Sequence, residues 1–159
     1  VGDMNSLISK SLFCLNNKVN SLDMFLNPEK IKDYMHVEDF CSSIMDLVVN
    51  NILNDDFNIT AENPHNTLEI VNLIEEVTGH DLSSIIQWHP KTDYLGNHRL
   101  SNEKFVSTVG FSRTRPLKEG IMQAWQSIKN LDSKNDFNPL KYLNEAKDKN
   151  IDLRDFFPN

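Results

Sequence analysis

Val37, Phe40, Cys41, Ile44, Met45, Val48 and Ile52 return at three- and four-residue intervals. That is the period of one face of an α-helix, and such a stripe needs an apolar surface to lie against. Glu38 and Asp39 fall in the first turn of this helix, where its dipole favours negative charge. Three further stripes accompany it. Leu7, Ile8, Leu12 and Leu15 predict a helix over residues 5–16, capped by Asp3 or Asn5. Asn66 and Glu69 have the form of a capping box opening a helix from Thr67 to about Thr78, with Ile70, Val71, Ile74 and Val77 inward and Gly79 as the stop. Pro116 opens a last helix whose inner face is Leu117, Ile121, Ala124, Trp125 and Ile128. Asn102 to Val109 reads as a shorter helix ended by Gly110.

Short strands fall between the helices. The irregular connection 17–30 holds one, and residues 31–37, 56–60 and 84–88 hold the others. Strands alternating with helices predict an α/β fold with at least some parallel pairing. From Leu131 onward the pattern weakens into a polar segment with room for a short helix near 140–147. The expected organisation is therefore a structured portion over 1–130 and a polar extension over 131–159.

The chain has 159 residues, with hydrophobic residues at 39%, charged residues at 25% and a net charge of -7. A chain of this length buries about 70% of its unfolded surface, enough for a true core. The acidic balance argues against binding to nucleic acid or to an anionic membrane, yet leaves room for a local basic pocket. No apolar run approaches the roughly 18 residues of a membrane span, and no signal-peptide pattern opens the chain. Cys14 and Cys41 both lie in apolar helical stretches and read as two buried, reduced thiols of a cytoplasmic protein. The sequence opens on Val1, which points to processing or to part of a longer protein.

Self-contained catalytic sets are missing. Gly2, Gly79, Gly96, Gly110 and Gly120 are too scattered for a dinucleotide loop or a P-loop. The five histidines neither pair at helical spacing nor join closely spaced cysteines, so a zinc site is not expected. Glu75 with Glu76, and Asp55 with Asp56, read as solvated carboxylates. His36 beside Glu38 and Asp39 has the composition of an acid/base set, although a histidine closing a strand before a helix is more often structural. The remaining candidates are cations on connecting segments, Lys32, Lys91 and Arg99, which could converge on a phosphate.

Several short motifs occur in a meaningful order. Residues 30–40, KIKDYMHVEDF, are similar to the pattern R-D-Y-I/V-H-V-x-D-V/L. Phe57-Asn58-Ile59-Thr60 resembles F/Y-N-I/V-G, and Asn66 to Ile70 resembles a helix start S-I/V-x-E-L/I. Ser101 to Lys104 falls at D-x-S-K, and Gly110-Phe111 with Pro116 to Ile121 resembles G-W/F-x-P followed by S-L-E-E-G-I/L. Gly2 to Asn5 resembles the end of a Y-G-P-G-D-N loop. Together, over residues 1–130, these resemble the extended short-chain dehydrogenase/reductases, the NAD-dependent nucleotide-sugar epimerases and dehydratases.

The resemblance implies a carboxy-terminal substrate-binding lobe plus the last elements of a Rossmann-type sheet. It implies NAD or NADP for the intact protein, with none bound by this chain alone, a nucleotide-diphosphate sugar as ligand, and a possible homodimer. The family's glycine-rich loop and Tyr-x-x-x-Lys pair have no counterpart: Tyr34, Tyr94 and Tyr142 are followed four positions on by Glu38, His98 and Ala146. The chain alone is thus expected to be inactive. By the same resemblance, Lys32 stands at a diphosphate-binding arginine and Asn5 at a nucleotide-holding asparagine. Lys91 or Arg99 takes the place of a second arginine, and residues from Val19 to Phe25 face the base. Departures are Lys32 for arginine, which loses the bidentate fork, Ser101 for aspartate and Thr60 for glycine. Two other readings stand beside this one: part of a superfamily reductase acting on another carbonyl, and a non-catalytic binding or dimerisation module.

Overall fold

The apolar stripes of three helices meet on one pair of strands. The computed structural model describes residues 6–52, 54–89, 100–110 and 114–130. Helix α1 spans Leu7–Asn16, α3 Thr67–Thr78 and α5 Leu117–Asn130. Strands β1 (Leu22–Met24) and β4 (Ile86–Trp88) pair in parallel, with Leu22 opposite Ile86 and Met24 opposite Trp88. Leu12, Leu22, Met24, Ile70, Val71, Ile74, Leu82, Ile121, Trp125 and Ile128 close this core, all nearly excluded from solvent. The fold is α/β, as the alternation of elements requires.

The helix ends follow local chemistry. Asn66 Oδ1 accepts from the Glu69 N–H at 2.8 Å while Glu69 Oε2 accepts from the Asn66 N–H at 2.8 Å, completing the expected capping box of α3. Gly79 closes that helix at φ +70, a left-handed conformation glycine adopts without cost. Gly110 does the same at φ +92 for α4 (Glu103–Val109). Helix α1 starts one step later than expected: Ser6, rather than Asp3 or Asn5, caps it by accepting from the Ser9 N–H at 3.3 Å.

Three expected strands change. Residues 31–37 shorten to β2, Ile31–Lys32, paired antiparallel with β3, His65–Asn66. The reason is Asp33, whose carboxylate accepts from the Thr60 hydroxyl, the Glu62 N–H at 2.9 Å and the Asn63 N–H at 3.4 Å and so turns the chain away from the ladder. Residues 84–88 shorten to β4 because Asp81 Oδ1 accepts from the Ser84 N–H at 2.9 Å and holds a turn there. Residues 56–60 form no strand; no strand pairs with them among the described residues, and side chains take up two of their carbonyls. Asn102 Nδ2 donates to the Thr60 carbonyl at 3.1 Å and Lys104 Nζ to that of Asp56 at 2.9 Å. Phe57 meets the buried Phe105 edge to face at 6.3 Å, a small second apolar cluster.

The largest departure concerns α2, Val37–Val49, the helix with the most regular stripe. Its inward residues are Asp39 and Ser43. Its apolar residues point outward: Val37 is 67% exposed, Phe40 45%, Ile44 39%, Met45 56% and Val48 53%. Cys41, expected to be buried, is exposed with them, whereas Cys14 is buried. Helix α2 packs broadly against no other described element. Residues 131–159, including the possible helix near 140–147, lie outside the described residues.

This inversion gives a direct stability contrast. Ile74→Ala in the core should cost about 2–5 kcal/mol, and Asn66→Ala at the capping box about 1 kcal/mol. Met45→Ala, on an equally apolar stripe, should change stability by no more than about 0.5 kcal/mol in the isolated chain. Urea titrations of the three variants check the ordering.

Candidate functional site

The parallel strands end side by side, and in open α/β sheets ligands settle beyond the carboxyl ends of such strands. Phe25 follows β1 and His89 follows β4. Their rings stack at 5.1 Å with planes 25° apart, while Phe25 stays 51% exposed. His89 Nε2 lies 2.8 Å from Asp23 Oδ1, which fixes the imidazole plane, and the His89 N–H donates to the Met24 carbonyl at 2.9 Å. Lys10 Nζ donates to the Asp23 carbonyl at 2.8 Å, tying α1 to the same edge. The result is a half-exposed aromatic shelf on rigid backbone, a surface suited to a flat heteroaromatic ring.

From Phe25 the chain passes through a turn in which the Lys30 N–H donates to the Asn27 carbonyl at 3.0 Å. It then enters β2. Thr67 Oγ1 donates to the Asn27 carbonyl at 3.1 Å, clamping this turn to the start of α3. Lys32 sits in the β2–β3 ladder opposite His65, half-buried, and no described side chain pairs with its ammonium. The next residue, Asp33, lines a cleft of about 400 Å³ together with Glu62, Pro64, Leu100 and Ser101. One wall of the cleft therefore adjoins Lys32 in sequence and the other adjoins Arg99. Of the expected ligand contacts, Lys32 is the described one; Asn5, Lys91 and Arg99 lie outside the described residues.

The motif around His36 resolves into architecture. His36 caps α2 through Nδ1, which accepts from the Glu38 N–H at 3.3 Å. Its ring also packs near α5, 3.4 Å from where a Cβ on Gly120 would lie. Asp39 is taken by Arg115: Oδ1 accepts from Nε at 3.0 Å and from NH2 at 2.8 Å, and Oδ2 accepts from the Arg115 N–H at 2.8 Å. The same guanidinium reaches Glu38 Oε2 at 3.0 Å and Gln123 Oε1 at 2.6 Å. Burial raises the Asp39 pKa, but the hydrogen bonds and charge of Arg115 outweigh it, and the carboxyl sits below its ordinary value. This disposition leaves His36 and Asp39 no role as an acid/base pair. Sequence reasoning missed Arg115; its signal was an arginine directly before the helix-opening Pro116, able to meet the acidic first turn of α2.

No described tyrosine is activated. Burial pushes the Tyr34 phenol upward, which keeps it protonated. Among the described residues no glycine builds a dinucleotide cradle: Gly79 and Gly110 are helix stops and Gly120 lies inside α5. Among the described residues no group of three or more His, Cys, Asp and Glu side chains is placed to hold a metal ion, and no helix is long and apolar enough to cross a membrane.

With this geometry in view, comparison is informative. No protein-family model and no curated protein matches the chain. Solved structures do. The UDP-glucuronic acid 4-epimerase of Bacillus cereus, in complex with UDP-glucuronic acid and NAD, superposes with a TM-score of 0.70 at 15% identity over 80% of this chain and 41% of its own. The dTDP-glucose 4,6-dehydratase of Bacillus anthracis, in complex with NAD, gives 0.69 at 18% identity over 81% and 40%. A UDP-glucose 4-epimerase gives 0.62 at 26% identity over 84% and 43%. The fold is that of part of such epimerases and dehydratases. The chain spans about two-fifths of the length of these structures.

The Asp39 contacts predict a pH signature. A carboxylate with a depressed folded-state pKa adds stability above its ordinary value of 3.8 and loses it as pH falls through the folded value. The melting temperature should therefore drop as pH is lowered from about 4. In Asp39→Asn the neutral-pH melting temperature should fall by several degrees and this acidic limb should flatten; thermal melts across pH read both.

Proposed function

We propose that this chain is the substrate-binding, carboxy-terminal part of an NAD(P)-dependent nucleotide-sugar epimerase or dehydratase. The observation that carries the reading is the shelf of Phe25 and His89 at the carboxyl ends of β1 and β4, in a fold shared with the UDP-glucuronic acid 4-epimerase complex. The base stacks on that shelf. Lys32 meets the diphosphate as a point charge, with Lys91 or Arg99 from the 90–99 segment as the second cation and Asn5 as a further nucleotide contact. The cleft between Asp33 and Ser101 takes the distal part of the ligand.

In this reading residues 1–130 are the substrate lobe with the end of the cofactor-domain sheet, and 131–159 are an extension. NAD or NADP would accept and return hydride in the intact protein. The residues of this chain bind and orient the sugar nucleotide, and the chain alone carries no turnover.

Calorimetric titration with UDP, dTDP, GDP and CDP tests the proposal, with NAD as a parallel sample. One nucleotide should bind saturably and NAD should not. Phe25→Ala should cost about 1–3 kcal/mol of that binding through lost stacking. Lys32→Ala should weaken it about tenfold through a lost charge-assisted contact. Absence of binding to every nucleotide, or binding indifferent to both substitutions, overturns the assignment.

A further inference from the structure

We propose that His89, locked in one tautomer by Asp23, reads the ring N–H of the base and so sets which nucleotide the shelf accepts. This inference deepens the functional reading above and rests on it. His89 Nε2 stands 2.8 Å from Asp23 Oδ1. An ionised carboxylate only accepts, so the Nε2 hydrogen lies in that contact. A neutral imidazole carries one ring hydrogen, which leaves Nδ1 as a lone-pair acceptor. Among the described residues no group bonds to that nitrogen, and the side chain is half-exposed. His89 therefore offers a ligand an acceptor of fixed sense. An asparagine, glutamine or serine at this place could turn to present either a donor or an acceptor; an imidazole tied to a carboxylate cannot.

The acceptor stands where a flat ring would settle. The centroids of Phe25 and His89 are 5.1 Å apart with planes 25° apart. Stacked carbon atoms touch at about 3.5–4.0 Å, so the two rings are offset sideways by roughly 3.5 Å. The imidazole thus covers only part of the Phe25 face, in keeping with the 51% exposure of that residue. A base laid on the uncovered part rests on Phe25 and meets the edge of the imidazole. The backbone beneath does not yield: Leu22, Met24 and Ile86 are buried, and the His89 N–H donates to the Met24 carbonyl at 2.9 Å. The sense of the acceptor then fixes the class of base. Uracil, thymine and guanine carry an N–H at the central ring position of their pairing edge. Cytosine and adenine carry a lone pair there, which Nδ1 repels and which leaves two acceptors facing each other without a hydrogen.

Calorimetric titration of the 159-residue chain with UDP, CDP and UDP methylated on the ring nitrogen tests the role. Where dTDP or GDP is the nucleotide bound, its own ring-N-methyl analogue is used. The parent nucleotide should bind at least about tenfold more tightly than its methylated form or CDP. His89→Phe keeps a stacked ring and removes the acceptor, so the three affinities should come within about threefold of one another. Asp23→Asn lets an amide N–H donate to Nε2 and moves the ring hydrogen to Nδ1, so CDP should gain about tenfold relative to UDP. Nitrogen NMR of the imidazoles should show His89 as the Nε2–H tautomer in the parent and as the other in Asp23→Asn; His89→Phe assigns the signal. Both changes alter a half-exposed pair and should leave the melting temperature nearly unchanged. Equal binding of the methylated nucleotide, or a discrimination that His89→Phe leaves intact, overturns this inference and leaves the functional reading standing. Absence of binding to every nucleotide overturns the functional reading and this inference with it.

Discussion

The contact between Asp39 and Arg115 sets the orientation of helix α2. It joins the first turn of α2 to the residue before Pro116, where α5 begins. An amphipathic helix released in water would roll its apolar stripe toward the nearest core. Here the buried residue is a carboxylate, and turning it outward would strip Arg115 of side-chain and backbone-directed bonds at once. A charge-assisted, multidentate contact of this kind is stronger and more directional than apolar burial on a single helix face. His36, capping α2 and packed beside Gly120, adds a second point of attachment. The helix is thus pinned by polar chemistry on one side and left with its apolar side unspent.

The described core is complete without α2: α1, α3 and α5 cover β1 and β4, and their own stripes are consumed there. Asp33 ties residue 62 to the end of β2, and Asn102 with the Phe57–Phe105 contact ties α4 to the 54–62 region. Helix α2 thus combines polar attachment on its inner side with an apolar outer side.

Much of the fold was legible because its signals are local. The Asn66–Glu69 capping box, the stops at Gly79 and Gly110 and the opening at Pro116 each depend on residues within a turn of one another. The period of α2 was legible for the same reason, but its orientation was not. Periodicity says that a stripe must be covered; it does not say by what, and Asp39 became the inward residue only through Arg115, seventy-six positions away. The truncation of β2 likewise turns on Asp33 meeting residues 60–63 across the sequence. At the candidate site, Lys32 was singled out by motif resemblance, and the range to Phe25 by the same route. His89 was not, because its stack on Phe25 joins two strand ends that only the parallel pairing brings together.

The site divides along the same line. Its aromatic shelf stands on a parallel ladder, backed by buried Leu22, Met24 and Ile86, and its imidazole is held in plane by Asp23. On the proposed reading, little ordering would remain to be done there when a base stacks. Lys32 stands on a two-residue strand, and the other expected cations belong to the connection between β4 and α4. Lysine on a short element is a mobile point charge that follows a phosphate rather than defining its position. On the proposed reading, selectivity among bases would then rest on the strand ends that carry Phe25 and His89.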